Sequence, residues 1–119
     1  MSVIQKLWDA EDNKNLDQYN EVLSDDFVWV KHSTGELIGK DILGEWFMSE
    51  DAPKSEKNRI IYENDEIGVA HSFVTFKDGS KQSVLVVYTI KDGKIARSET
   101  GATNMPEWLF IYFFIHKLI

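Results

Sequence analysis

Before residue 53 the apolar positions recur every three or four residues; beyond residue 67 they alternate with polar ones, so the period shifts from helix to strand. Val3, Leu7 and Ala10 share one helical face, widened by Ile4 and Trp8. Ser2, with Gln5 three residues later, forms a capping-box pattern at its start. Asn13-Lys14-Asn15 breaks the period. Asn15 with Gln18 then opens a second helix carrying Leu16, Tyr19 and Leu23, which Asp25-Asp26 is expected to end. Phe27 to Val30 predicts a short strand, and Ser33-Thr34-Gly35 a turn into Glu36–Gly39. Asp41 is expected to cap a third helix that buries Ile42, Leu43, Trp46 and Phe47, and Pro53 closes the helical half.

Four longer strands follow: Lys54 to Glu63, Ile67 to Lys77, Ser80 to Lys91 and Lys94 to Gly101. Asp78-Gly79 and Asp92-Gly93 both predict two-residue hairpin turns with positive φ at both central positions. Helices first and a meander of strands after predict an α+β domain whose curved sheet leaves a pocket. The domain is expected over residues 1–104. Residues 105–119 form an apolar tail, Trp108-Leu-Phe-Ile-Tyr-Phe-Phe-Ile at its centre, too short for a span of about 20 residues. Its simplest reading is a cover for the sheet or for a subunit interface, and a membrane contact is not expected.

Net charge changes the picture of partners. At −7, with Asp9, Glu11, Asp12, Asp17, Glu21, Asp25 and Asp26 crowded into the helical half, the surface repels phosphate backbones, so nucleic acid is not an expected partner. The absence of cysteine excludes disulfides and thiol catalysis. It also fits a reducing compartment, and Met1 to Gln5 shows no signal-peptide pattern; a cytoplasmic protein is expected. The three histidines match no metal-ligand spacing, and neither a metal nor a cofactor is expected.

Ser24-Asp25-Asp26-Phe27-Val28-Trp29 after two helices, then Gly35 to Gly39-Lys40-Asp41 before a third, resembles the nuclear transport factor 2-like superfamily, and within it the SnoaL-like polyketide-cyclase group. The resemblance covers about residues 1–104. It implies a cone-shaped, cystatin-like roll: three N-terminal helices packed on a strongly curved antiparallel sheet around a cavity. Members include isomerases, dehydratases, hydrolases, cyclases and non-catalytic binding modules, so fold alone does not fix function. Ketosteroid isomerases of this superfamily use a base, a tyrosine and a protonated Asp; alignment puts Lys31, Leu7 and Val86 at those positions, and none can do that work.

The same alignment turns Ile67, Val69, His71, Phe73 and Thr75 toward the cavity. His71 is then a candidate general base, and Glu99, which shares a strand face with Arg97, a candidate to orient it. An inert, hydrogen-bonded His71 and a solvated Arg97–Glu99 pair are the alternatives. Trp8, Trp29, Trp46, Phe73, Thr75 and Tyr88 are candidate walls, and Lys31, on the Trp29 face, a candidate anchor for an anionic ligand. The resemblance thus implies a small-molecule-binding protein with an apolar cavity. It could act as a cofactor-independent lyase, isomerase or hydrolase on a small cyclic or polyketide-like compound. The alternative is a non-catalytic ligand- or partner-binding module with a filled cavity. In either case a homodimer through the outer sheet face is expected, with Val74, Phe76, Leu85 and Val87 on that face.

Overall fold

A computed structural model describes residues 2–106. Helix α1 (Val3–Asp12) starts at Ser2, whose hydroxyl accepts from the Gln5 amide, and buries Ile4, Leu7 and Ala10. Ser2 also donates to Glu63 at 2.6 Å, which ties the helix start to the end of a strand sixty-one residues away. Helix α2 (Leu16–Val22) is capped by Asn15 as predicted. It ends sooner than expected: Leu23 already belongs to β1 (Leu23–Lys31), because it pairs with Ile95 and is fully buried there. Tertiary pairing overrides the helical period at that residue.

Strand β2 (Leu37–Gly39) leads directly into α3 (Lys40–Met48). Gly39 occupies the N-cap position without a side-chain bond, so Asp41 lies in the first turn and is not the cap. Of the expected apolar stripe, Leu43 is buried and Trp46 and Phe47 half-buried, whereas Ile42 points to solvent at 68% exposure. Lysines satisfy carbonyls near the helix ends. Lys14 donates to the carbonyls of Phe47 and Ser49, both at 3.0 Å, and Lys40 to those of Asn20 and Leu23.

Strands β3 (Lys54–Glu63), β4 (Ile67–Thr75), β5 (Lys81–Lys91) and β6 (Lys94–Met105) complete one open sheet in the order β2-β1-β6-β5-β4-β3. The sheet is mixed. The meander is antiparallel, but β6 comes back beside β1 in the same direction, which corrects the expectation of a wholly antiparallel sheet. Register shifts in β1, β3 and at the end of β5, with Lys57 in the left-handed region (φ 54), bend the strands and add twist. The expected cone-like roll is the result.

The two Asp-Gly turns differ. Asp92 (φ 53) and Gly93 (φ 77) form the two-residue turn with positive φ at both positions. At the other, only Gly79 has positive φ. The Phe76 amide donates to the Ser80 carbonyl and the Gly79 amide to the Phe76 carbonyl, both at 2.9 Å, giving a three-residue loop closed by glycine. Asp78 accepts from both the hydroxyl and the amide of Ser80, which lowers its carboxyl below the ordinary value. Among the described residues no helix is long and apolar enough to cross a membrane. Met105 still belongs to β6; the rest of the apolar tail beyond Pro106, with His116, lies outside the described residues.

Candidate functional site

Strand alternation divides the meander into two faces. Gly68, Ala70, Ser72 and Val74 of β4 face the helices; the partner positions on β5 are Tyr88, Val86, Val84 and Gln82. Between this face and the helices lies a hollow of about 660 Å³. Leu7, Trp8 and Glu11 reach it from α1, Trp46 and Phe47 from α3, and Trp29 and Lys31 from β1. Ser98, Thr100 and Ala102 of β6 close the wall.

Four of the expected wall residues, Trp8, Trp29, Trp46 and Tyr88, are therefore brought together with the expected anchor, Lys31. His71, Phe73 and Thr75 are not. They sit on the opposite face of β4, because Ala70 and the β4 glycine pack inward against the helices and alternation sends the odd-numbered neighbours out. A Cβ on Gly68 would lie 2.5 Å from Ile4 Cδ1, so that strand position must face α1. Outside the hollow, His71 Nε2 lies 2.7 Å from Ser83 Oγ and its ring meets Phe73 edge-on, while its Nδ1 has no partner among the described residues. Glu99 is also on the outer face. It binds His32 at 3.2 Å and Arg97 at 3.3 Å, and the His32 bond, aided by Arg97, lowers its carboxyl below the ordinary value. It does not orient His71. The outer face is likewise corrected: Val74 and Phe76 line the hollow, and Leu85 and Val87 stay outside.

Of the carboxyls on the lining, Glu11, Asp12 and Glu50, the one that burial alters is Glu11. It follows Leu7 by four residues, so one turn of α1 carries it onto the apolar side of the helix. The side chain is part-exposed and lines the hollow, and its carboxyl makes no hydrogen bond to the described residues. Lost hydration, then the neighbouring charge of Asp12, raises its pKa to about 8. Tyr19 and Tyr88 are raised by the same burial and secondarily by Glu11; the Trp8 indole partly offsets this at Tyr88. The Tyr19 hydroxyl has no hydrogen-bond partner among the described residues. Sequence reasoning counted Glu11 among the acidic surface residues. Its position four after Leu7 and three after Trp8 was the available signal.

The wall beside it is a row of rings. Trp29 and Trp46 stack at 10° with centroids 6.1 Å apart, and Trp46 and Phe76 at 14° and 6.5 Å. Phe47 bridges Trp46 to Tyr19 through tilted contacts. Lys31 Nζ stands 5.8 Å from the Trp29 centroid, at the distance of a cation–π contact. No group of acidic or histidine side chains suited to a metal ion occurs among the described residues.

The family model for the SnoaL-like domain matches residues 4–98. The chain belongs to that family. Solved structures of similar fold include a candidate ketosteroid isomerase from Kribbella flavida, 15% identical over 88% of this chain and 78% of that one, TM-score 0.73. An NTF2-like protein from Cytophaga hutchinsonii is 14% identical over 91% of each chain, TM-score 0.67. A candidate polyketide cyclase from Sinorhizobium meliloti is 21% identical over 83% of this chain and 93% of that one, TM-score 0.66. Comparison with curated proteins finds no match. At these identities the likeness establishes the fold, and the positions that alignment assigned to isomerase chemistry, Leu7, Lys31 and Val86, all line the hollow of this SnoaL-like chain.

Proposed function

We propose that this SnoaL-like protein binds a small, largely apolar molecule in the hollow and moves a proton on it through Glu11, without a cofactor. The observation that supports this most is the Glu11 carboxyl, raised to about 8 and without a hydrogen bond to the described residues, on the lining of an aromatic hollow of about 660 Å³. A carboxylic acid that stays protonated near neutral pH donates to a carbonyl or ether oxygen, and returns as a base once the proton has left. The chemistry fits an isomerisation, dehydration, cyclisation or hydrolysis of a cyclic compound, the classes named for the polyketide-cyclase-like relatives among them. Tyr88, which shares the Glu11 field, offers a phenol as a further donor on the lining. Ligands carried through purification of the wild type and identified by mass spectrometry test the binding reading. A Val86→Trp variant, which fills the hollow, should lose them. Glu11→Gln should keep them but lose turnover of whichever compound is found; unaltered turnover would end the assignment to Glu11.

We also infer a homodimer through the outer sheet face. Leu85 is 48% exposed there, beside Phe73 and Val87, an apolar grouping on an otherwise charged chain.

A further inference from the structure

We propose that the hollow selects a flat conjugated or aromatic compound that is neutral at its inner end and carries a carboxylate or other oxyanion at its outer end, with Lys31 as the residue that recognises the charge. This rests on the ligand-binding reading above and gives the ligand a polarity and an orientation.

The register of the central strands defines the two ends. Tyr88 and Ser98 are paired and both buried; Val86 pairs with Thr100, and Val84 with Ala102, which is exposed. The hollow therefore closes toward Tyr88 and Ser98 and opens toward Gln82. Near the closed end, Glu11, Tyr19 and Tyr88 all keep their protons longer than usual because burial strips hydration from the charged forms. A ligand anion placed there would meet the same penalty. A carbonyl or hydroxyl would not, and a protonated carboxyl or a phenol has an O–H to give it.

Lys31 lies at the Thr100 level, two residues outward from Trp29 on the same strand face. Its nearest carboxylate, Glu36, is 3.8 Å away, 57% exposed and outside the lining, so the contact is weak and easily exchanged for a ligand oxyanion. Lys14, by contrast, is committed to two carbonyls. Asp12 and Glu50, also on the lining, come from the helical side and repel an anion, whereas Lys31 comes from β1. Trp29, Trp46 and Phe76 line the hollow with their ring planes nearly parallel, an aromatic wall suited to a flat π-system.

The test compares two dyes with the same rings on the full chain: anilinonaphthalene sulfonate, which is anionic, and uncharged N-phenylnaphthylamine. Both should bind and both should weaken in Val84→Trp, with Val84→Phe taking its place if the larger side chain prevents folding. Lys31→Gln should weaken the sulfonate about fivefold and leave the neutral dye within about twofold, and Lys31→Arg should restore the sulfonate. If the sulfonate is indifferent to Lys31→Gln, if both dyes weaken equally, or if the loss follows Lys54→Gln instead, the polarity is wrong while the binding reading stands. If the neutral dye fails to bind, or ignores the blocked hollow, the binding reading itself fails and this inference with it.

Discussion

The Trp29 indole donates a 2.9 Å hydrogen bond to the Thr100 hydroxyl, seventy-one residues away along the chain. The bond crosses the single parallel pairing of the sheet, β1 with β6, and holds the Trp29 ring where it stacks on Trp46. One contact thus joins the strand that follows the helices to the last strand of the meander, and sets the plane of the aromatic wall.

Thr100→Val should remove that acceptor while keeping the shape of the side chain. A part-buried donor left without a partner costs about 1–2 kcal/mol, read as a lower denaturation midpoint. Tryptophan emission should shift as well, since Trp29 loses its fixed orientation. Unchanged stability together with an unchanged spectrum would show that the ring is held by stacking alone.

Glu11 makes stability depend on pH in a definite direction. Its pKa rises from 4.5 in the unfolded chain to about 8 in the folded one. The folded state therefore binds the extra proton between those values, and stability falls as pH rises through that window. The favourable contribution is complete below 4.5 and gone above about 8. Glu11→Gln should flatten this slope and make the variant more stable than wild type at high pH, by about 1–3 kcal/mol once residual access to solvent is allowed for. Thermal melts at acid and alkaline pH measure it. A wild-type slope of the opposite sign in that window, unchanged by the substitution, would place the Glu11 carboxyl in solvent.

Gly68→Ala should be costly although alanine suits a strand better than glycine does. The new methyl would press on Ile4 at both Cδ1 and Cγ1, and Ile4 is fully buried, so its side chain would have to repack within the core. Overpacking of this kind costs about 1–3 kcal/mol. Ile4→Val in the same chain should recover part of the loss, and a double-mutant cycle reads the coupling.

Gly93→Ala should cost about 1 kcal/mol, since φ of 77 lies in the left-handed region and no neighbour lies within 4 Å to compensate by new packing. Chemical denaturation gives the value. No loss would mean that the turn relaxes to another type.

Leu85→Asp tests the inferred dimer. The wild type should run as a dimer at micromolar concentration in light scattering and the variant as a monomer with the same circular dichroism. A monomeric wild type would overturn the inference.

Local chemistry made much of this protein legible from its residues alone. Ser2 and Asn15 announced their helices, β3 was delimited correctly, and Asp92-Gly93 specified its turn, because caps and turns depend on atoms a few residues apart. Pattern and family resemblance together pointed to the roll. Alternation also grouped Trp29 with Lys31, and His71 with Phe73, since a strand's period of two is intrinsic to its backbone.

Which of two alternating faces turns inward is not intrinsic. For β4 it was decided by the fit of Gly68 beneath Ile4, a contact between residues far apart in the chain, and that choice moved His71, Phe73 and Thr75 out of the hollow and Ser72 and Val74 into it. The same holds for Leu23, drawn from helix to strand by Ile95, and for Glu11, whose carboxyl lies within the hollow only because the sheet folds over α1. Period belongs to the chain; facing, burial and proton affinity belong to the packed structure, because each depends on the atoms that other segments bring alongside.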